Sequence, residues 1–538
     1  MILSPQIMGN LRNRATRNVF VQTVLLCVMI VGLAPYGSWG NPSPGGEQPR
    51  RRPNILLAIS DDQSGMHAGA HGDQAVRTPA FDRVAKEGVR FDFAYCAAPS
   101  CAPSRSAILT GQEIWRLEEG GVLIGFLPNK FPVFPMLLEQ SGYQIGSTGK
   151  TWGPGELKAG GWKSSPTGKA YNRHQIDPHR HGLSVTDYAA NFADFFQQRD
   201  KQRPFFFWYG STEPHQPYQR DAGRQAGRRL QDARLPLCLP DAPETRGEIL
   251  DYYMEIEHFD QQLARMIRLL DEQGELENTL IIVTSDHGNP LPRAKANLYD
   301  VGVRVPMAMR WSAGIPGGRV VRDFISLTDI APTLLEIAGA NVPQQVTGRS
   351  LRSLLESDKQ GRVETDRDSI VTAFERHTIC RRGGVGYPMR SIRTYNYSYI
   401  RNYEPDRWPA GDPDFWSHAQ GFFGDVDRGV SKTYMVQNQA KPGVSRLFQL
   451  AFGRRPAEEL YDLKKDPHEL NNLASDPSLG EIKQELTKEM QDYLKRTGDP
   501  RMEGKHPWDS YPYFHPISKD ERWKNLGIEP GEKGPKGQ

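Results

Sequence analysis

Asn54-Ile55-Leu56-Leu57-Ala58-Ile59-Ser60 is a nearly continuous apolar run that ends in two adjacent carboxylates, Asp61 and Asp62. Such a run without alternation is typical of a strand buried on both faces of a parallel sheet. Farther along, Thr78-Pro79 opens a stretch of helical periodicity that ends at Gly88, with Thr78 expected at the N-cap. A strand followed by a helix predicts an α/β protein.

Two further predicted strands also end in polar clusters. The Phe-rich run at 204–209 leads into Glu213-Pro214-His215, and the run at 280–285 leads into Asp286-His287-Gly288. Between them, Glu248 to Gln273 shows helical periodicity. Ligands of open α/β sheets bind beyond the carboxyl ends of the strands, so we expect the three clusters to meet at one edge.

The sequence changes in character after about residue 365. Ser391 to Tyr403 alternates polar with apolar residues, which predicts a half-exposed antiparallel strand in a smaller second domain. The predicted organisation is a signal peptide at 1–40, a linker at 41–52, a large domain holding the site at 53–365, a C-terminal subdomain at 366–510 and a tail at 511–538.

The N-terminus has the layout of a secretory signal peptide. Three arginines precede an apolar run from Val19 to Leu33, and small residues follow up to Gly40. The run is shorter than the roughly 20 residues that a membrane span requires. We therefore expect cleavage near Gly40, with a periplasmic or secreted product that is not membrane-bound; an uncleaved anchor is the alternative. A formal charge of +3 on 538 residues does not indicate a nucleic-acid partner.

Cys101-Ala102-Pro103-Ser104-Arg105, followed by Leu109-Thr110-Gly111, resembles the signature of the sulfatase family. The resemblance extends from about Pro53 to Ala474. It implies an alkaline-phosphatase-like sandwich, with a large mixed sheet between helices and a smaller α+β domain with an antiparallel sheet. It also implies that a formylglycine-generating maturation enzyme oxidises Cys101 to an aldehyde. One hydroxyl of its hydrate would attack sulfur, and the other would expel sulfate by reforming the aldehyde.

The same resemblance assigns roles to the polar clusters. A single divalent cation would be surrounded by Asp61, Asp62, Cys101, Asp286 and His287. An oxygen-rich site of this kind suits calcium, with magnesium as the alternative, and the cation would neutralise the sulfate oxygens. The catalytic residues implied besides Cys101 are Arg105, Lys150, His215 and Lys295. Taken singly, each aspartate is also a good helix N-cap.

Two positions depart from the family's pattern. His287 stands where many sulfatases have Asn, which keeps a metal-binding or proton-accepting role but leaves the metal preference open. Trp152 stands where the family commonly has a second His after Gly149-Lys150, so that loop lacks an acid or base. The candidates to replace it are His67, His71, His174, His179 and His181.

Two stretches, Thr284 to Pro290 with Asn297-Leu298-Tyr299 and Tyr387 to Ser391, resemble the N-sulfoglucosamine sulfohydrolases. They favour a sulfated glycan substrate, specifically heparan-type N-sulfated glucosamine. The predicted substrate-binding residues are Glu213, Glu375 and Arg390, the last because its guanidinium suits sulfate or carboxylate. The alternatives are an O-sulfatase of another sulfated polysaccharide, a phosphonate or phosphate monoester hydrolase, and a non-catalytic protein that binds sulfated glycans.

Overall fold

The computed structural model describes residues 52–177, 182–417 and 420–514. The predicted signal peptide, most of the linker, the tail beyond residue 514, and His179 and His181 lie outside the described residues. Within the described ranges, no helix combines the length and hydrophobicity that a membrane crossing requires.

Strands and helices alternate along the first two thirds of the chain. The strands of the described residues are β1 (Asn54–Ser60), β2 (Val89–Phe91), β3 (Ala94–Tyr95), β4 (Gln144–Gly149), β5 (Lys169–Ala170), β6 (Phe205–Gly210), β7 (Thr279–Ser285), β8 (Arg304–Val305), β9 (Met307–Arg310), β10 (Arg319–Val321), β11 (Ile325–Ser326), β12 (Ser369–Phe374), β13 (Met389–Thr394), β14 (Tyr397–Asn402) and β15 (Glu458–Asp462). The helices are α1 (Pro79–Glu87), α2 (Cys101–Thr110), α3 (Phe134–Gln140), α4 (Tyr188–Gln198), α5 (Ala222–Gln225), α6 (Pro243–Glu272), α7 (Asp300–Val303), α8 (Ile330–Ile337), α9 (Arg352–Glu356), α10 (Val430–Gln437), α11 (Ser445–Phe452) and α12 (Gly480–Arg496).

The large sheet has eight strands in the order β10-β2-β9-β7-β1-β6-β4-β5. β1 pairs in parallel with both β6 and β7, and β4 pairs in parallel with β6, whereas β9 is antiparallel to β7 and β2. The predicted mixed sheet is therefore confirmed, as are the three predicted strands. The predicted helix in the middle of the chain is also present, although α6 begins at Pro243, five residues before its predicted start.

Helices cover both faces of this sheet, which explains why β1 is apolar at every position. Ile55, Leu57 and Ile59 pack in the core that includes α3 and α8, while Leu56 and Ala58 pack in the core that includes α1, α4 and α6. Successive side chains of a strand point to opposite faces. A strand covered on both sides must therefore be apolar throughout, as the sequence predicted.

The second sheet is antiparallel, with the order β12-β13-β14-β15. The prediction of one half-exposed strand at 391–403 is wrong in two respects. β13 and β14 form a hairpin around Tyr395 and Asn396, and nearly all of their side chains are buried. The reason is that α12 packs on one face of the sheet while the other joins the core of the large sheet.

The N-terminus of α1 is stabilised from outside the helix. Pro79–Glu87 matches the predicted bounds, but the Thr78 side chain does not cap the helix. Instead, the amides of Ala80 and Phe81 donate to the carboxylate of Asp260 in α6, at 2.9 and 2.8 Å. A buried carboxylate on a neighbouring helix therefore performs the capping that was predicted for a local hydroxyl.

We expect the substitution Asp260→Asn to change how stability depends on pH. Burial raises the pKa of Asp260 to about 7, although hydrogen bonds from Ala80 and Phe81 lower it in part. A carboxyl whose pKa is higher in the folded state contributes stability below about pH 4, and this is lost as pH rises through about 7. As pH rises from about 4 to about 7, the urea midpoint of the wild type should therefore decrease relative to the midpoint of the variant.

The matched control is Asp271→Asn, at an exposed position of the same helix. It should leave the pH dependence of the midpoint as it is in the wild type. If the difference between wild type and Asp260→Asn stays constant across this pH range, the raised pKa of Asp260 is refuted.

Candidate active site

Four parallel strands end level with one another at one edge of the large sheet. Ser60 of β1 is in register with Ser285 of β7, and Gly210 of β6 is in register with Ile59 and with Gly149 of β4. Polar residues follow each of these ends. The expected meeting of three clusters is present, and β4 adds a fourth strand end that the sequence pattern did not reveal.

The three predicted carboxylates lie together at this edge. Asp62 has φ 72°, a left-handed conformation that Asp tolerates better than most residues, and it turns the chain sharply at the end of β1. Oδ1 of Asp286 accepts hydrogen bonds from the amide of Asp62 at 3.1 Å and from that of His287 at 2.9 Å. The backbone of one strand end thus orients the acid of the other.

Helix α2 directs Cys101 at these carboxylates. Cys101 is the first residue of the helix, and its Sγ lies 3.6 Å from Oδ1 of Asp61 and 3.3 Å from Nε2 of His287. Burial raises the pKa of the Cys101 thiol well above its ordinary value, even though Lys150 and Lys295 lower it in part. The unmodified thiol is therefore neutral at neutral pH and a weak nucleophile.

Arg105 lies one helical turn after Cys101, so both side chains are on the same face of α2. Its Nε donates to Oδ2 of Asp286 at 2.9 Å, and its Nη2 lies 3.4 Å from Oδ1 of Asp61. The guanidinium is fully buried between these two acids. It holds them in place and balances their charge.

The donor atoms at this edge suit a hard divalent cation. One ligand atom from each of Asp61, Asp62, Cys101 and His287 lies within 4.8 Å of the others. Oδ1 of Asp62 is buried without a hydrogen-bond partner among the described residues. A carbonyl can only accept, so Nδ1 of His287 carries the proton that bonds the carbonyl of Gly288 at 2.9 Å. In the neutral ring, Nε2 then presents a lone pair to the cluster. The residues present therefore fit a metal.

Two lysines contact different carboxylates of the centre. Nζ of Lys150 lies 2.5 Å from Oδ2 of Asp61, and Nζ of Lys295 lies 2.9 Å from Oδ2 of Asp62. Burial alone would raise the pKa of Asp61, but Lys150 and Arg105 lower it well below its ordinary value. Asp61 is therefore charged because cations surround it.

His215 faces the same centre from the end of β6. Its Nδ1 donates to the carbonyl of Gln216 at 2.5 Å, so Nε2 is the atom available for proton exchange. Nε2 lies 3.8 Å from Oδ2 of Asp62 and 3.9 Å from Oδ2 of Asp427. An imidazole in this position can donate a proton into the space between the two acids.

Two residues of the centre, Asp427 and His377, were not among the predicted catalytic or metal-binding residues. Oδ2 of Asp427 accepts from Nζ of Lys295 at 2.8 Å, and Nδ1 of His377 lies 2.8 Å from Oγ of Ser100, the residue before Cys101. Burial lowers the pKa of His377 to about 4, so its ring is neutral at neutral pH. Both residues lie outside helices and strands. No strand-end pattern could identify them, and the only local signal was the acidic pair Asp425 and Asp427.

Trp152, in the loop after β4, is held by contacts within that loop. The indole of Trp152 donates to the carbonyl of Gly155 at 3.1 Å, and its ring packs against Trp162. Nδ1 of His67 pairs with Asp73 instead of the centre. The described candidates to replace the expected histidine, none of which forms a hydrogen bond to the residues of the centre, are His67, His71 and His174.

The structure places the three predicted substrate-binding residues in internal networks. The carboxylate of Glu213 accepts from the amide of Ser184 at 2.7 Å and from the hydroxyl of Tyr188 at 3.1 Å. Arg390 donates to Glu375 and to Asp499, both at 2.7 Å. These contacts favour structural roles, and the predicted contacts with substrate stay a prediction.

Comparison with known proteins gives independent information on the fold. The chain is 20% identical to a structure described as a complex with its substrate D-glucosamine-2-N,6-O-disulfate, with a TM-score of 0.61 over 85% of this chain and 100% of that one. It is also 20% identical to phosphonate monoester hydrolase of Agrobacterium radiobacter, with a TM-score of 0.58 over 86% of this chain and 99% of that one. The predicted fold, that of the alkaline-phosphatase-like sulfatases, is confirmed.

Among sequence relatives, human N-sulphoglucosamine sulphohydrolase is 27% identical over 84% of this chain and 92% of that protein. An ulvan-active sulfatase of Formosa agariphila is also 27% identical, over 83% of this chain and 76% of that protein. The family model for the C-terminal part of N-sulphoglucosamine sulphohydrolase matches residues 293–412.

The sulfatase family model matches residues 53–340, which is more than half of the chain and contains every strand end of the centre. The predicted enzyme class, a sulfuric ester hydrolase, is confirmed by this match and by the relatives. The chain belongs to the sulfatase family.

Proposed function

We propose that this sulfatase acts on sulfated glycans, and specifically on heparan-type N-sulfated glucosamine. The observation that carries the proposal is the match of residues 293–412 to the C-terminal family model of N-sulphoglucosamine sulphohydrolase. The rival substrate is an O-sulfated sugar. It is favoured by the ulvan-active relatives and by an N-acetylglucosamine-6-O-sulfatase of Bacteroides thetaiotaomicron, which is 24% identical over 89% of this chain.

In this proposal Asp61, Asp62, Asp286 and His287, together with residue 101, hold one divalent cation. Oδ1 of Asp62, which is buried without a hydrogen bond among the described residues and lies 3.2 Å from Nε2 of His287, supports this assignment. Calcium is the proposed ion and magnesium the alternative. When bound, the cation neutralises the negative oxygens of the sulfuryl group, which would otherwise repel a nucleophile.

Residue 101 is the proposed nucleophile after oxidation of Cys101 to formylglycine. The modified residue supplies an aldehyde hydrate, with one hydroxyl to attack sulfur and a second to expel sulfate. The position of Cys101 at the start of α2 and the raised pKa of its thiol support the need for this modification. The predicted signal peptide suits an exported protein that meets its maturation enzyme before or during export.

Four side chains would then serve the reaction. Nε2 of His287, 3.3 Å from Sγ of Cys101, is positioned to accept a proton from the group at residue 101. Arg105 orients residue 101 and the carboxylates around it. Each of Lys150 and Lys295 contacts an aspartate of the centre. Their positive charge would therefore lie close to the sulfuryl oxygens and stabilise them.

His215 is the proposed acid for the leaving group. Its Nδ1 is engaged by the carbonyl of Gln216, so a proton on Nε2 points toward the space between Asp62 and Asp427. A proton on this atom can pass to the sugar nitrogen or oxygen as the bond to sulfur breaks. Asp427 would stabilise the charged imidazolium.

The substrate proposal is tested with matched N-sulfated and O-sulfated glucosamine saccharides, measuring release of inorganic sulfate by the matured protein. We expect kcat/KM for the N-sulfated sugar to exceed that for each O-sulfated isomer by at least about tenfold. Aryl phosphate serves as a second comparison. Turnover confined to O-sulfated sugars would refute the sulfamidase assignment, and preference for phosphate would refute the sulfatase chemistry.

The substitution Cys101→Ala should abolish turnover, because no formylglycine can form. We expect kcat/KM to fall on the order of 10³-fold or more. Cys238→Ala is the matched control, since Cys238 is a second buried thiol that packs away from the centre in a different core. Peptide mass spectrometry of the wild type should find formylglycine at residue 101. An unmodified thiol there in fully active protein would contradict the mechanism.

The substitution His215→Gln should slow the release of poor leaving groups more than that of good ones. An aryl oxide leaves without protonation, whereas a sugar amine requires a proton, so the acid matters only for the sugar. We expect kcat on the N-sulfated sugar to fall by about 10²-fold or more. Turnover of an activated aryl sulfate should change much less. Equal losses on both substrates would argue against the acid role.

A further inference from the structure

A groove of about 590 Å³ lies beside the candidate active site. Two segments of the chain form its walls, and each begins next to a residue of the centre. Gln216 and Tyr218 follow His215 on one wall, and Arg428 follows Asp427 on the other. The first turns of α6 and the exposed side of α10 complete the lining.

The two walls converge at the centre. Nε2 of His215 and Oδ2 of Asp427 are 3.9 Å apart, so the residues that follow them diverge from one point. Glu248 of α6 holds the walls together, because it accepts from Nε2 of Gln216 at 2.9 Å and from the amides of Val430 and Ser431 at 2.8 and 2.7 Å. The groove therefore opens on the side of the centre where the proposed acid, His215, releases the leaving group.

The exposed charged side chains of the groove are three cations and one carboxylate, because its other two carboxylates, Glu248 and Asp251, are buried. Arg220, Arg428 and Lys441 line it, are exposed, and form no ion pair among the described residues. Two of its carboxylates accept hydrogen bonds from backbone amides. The amides of Val430 and Ser431 donate to Glu248, and the amides of Asp221 and Gly223 donate to Asp251, both at 2.9 Å. In the described part of the chain, Glu244 is the one groove carboxylate that lacks a partner. The charged groups that a ligand in the groove can contact are therefore mostly cationic, which suits anionic groups.

We propose that this groove binds the anionic sugar residues attached to the sugar whose sulfate is removed. The inference rests on the proposed function and deepens it: the substrate is an oligosaccharide or longer chain carrying several sulfate or carboxylate groups. Arginine suits these groups because its donors match two oxygens at once. The half-buried rings of Tyr218 and Tyr434 add apolar surface for the sugar faces.

The test compares one short and one long substrate in a variant that lacks the charge. The triple substitution Arg220→Gln, Arg428→Gln and Lys441→Gln removes the three cations without touching the centre. We expect kcat/KM for an N-sulfated heparan hexasaccharide to fall by about tenfold or more, mainly through KM, and to lose most of its salt dependence. Turnover of the N-sulfated glucosamine monosaccharide should stay within about twofold of the wild-type value.

A matched triple variant controls for total charge. Lys201→Gln, Arg268→Gln and Lys359→Gln also remove three exposed cations that form no ion pair among the residues described, and Lys201 precedes β6, at the opposite edge of the sheet from the centre. This variant should behave as the wild type on both substrates.

Three results would refute the proposed role of the groove. The first triple variant could lose kcat/KM equally on both substrates, or lose none on the hexasaccharide, or the wild type could accept only the monosaccharide. Failure of the proposed function is a different outcome, in which the wild type releases sulfate from neither sugar. In that case, calorimetry of hexasaccharide binding tests whether the groove binds the sugar chain. Weaker binding by the first triple variant alone would support it, and equal binding by both would refute it.

Discussion

The structure of the centre depends on the parallel pairing of β1 with β7. Because Ser60 and Ser285 are in register, the next residue of each strand is an aspartate at the same depth in the protein. Carboxylates buried this close repel one another and lose hydration, so they are stable only with positive charge nearby. The surrounding sequence supplies that charge. A guanidinium from α2, an ammonium after β4 and a second ammonium after β7 each contact at least one of the acids.

The same requirement explains why this edge suits a sulfate ester. The cations that stabilise Asp61, Asp62 and Asp286 in the folded protein also favour a monoanionic sulfate group placed beside them. Because Lys295 contacts both Asp62 and Asp427, it links the proposed metal ligands to the residue next to the groove. One charged network would therefore serve folding, the proposed cation and the proposed substrate.

Much of this could be predicted from the sequence because it follows from local patterns. A continuous apolar run indicates a strand covered on both faces, and the end of that strand locates its polar residues. What could not be predicted depends on contacts between distant segments. Asp427 lies in an irregular stretch, and only folding brings it 2.8 Å from Lys295. Asp260 caps a helix 180 positions earlier in the chain for the same reason, where local propensity indicated Thr78.

The substitution of Trp for a histidine at position 152 is consistent with this arrangement. Trp152 anchors its loop through Gly155 and Trp162, so the wall beside Lys150 supplies charge but no proton. His215 is the imidazole whose available nitrogen faces two carboxylates. In the proposed mechanism, proton donation therefore falls to His215 and needs no imidazole in the loop after β4. A leaving sugar in the proposed groove would meet this acid at once, because Gln216 of the groove wall is the next residue in the chain.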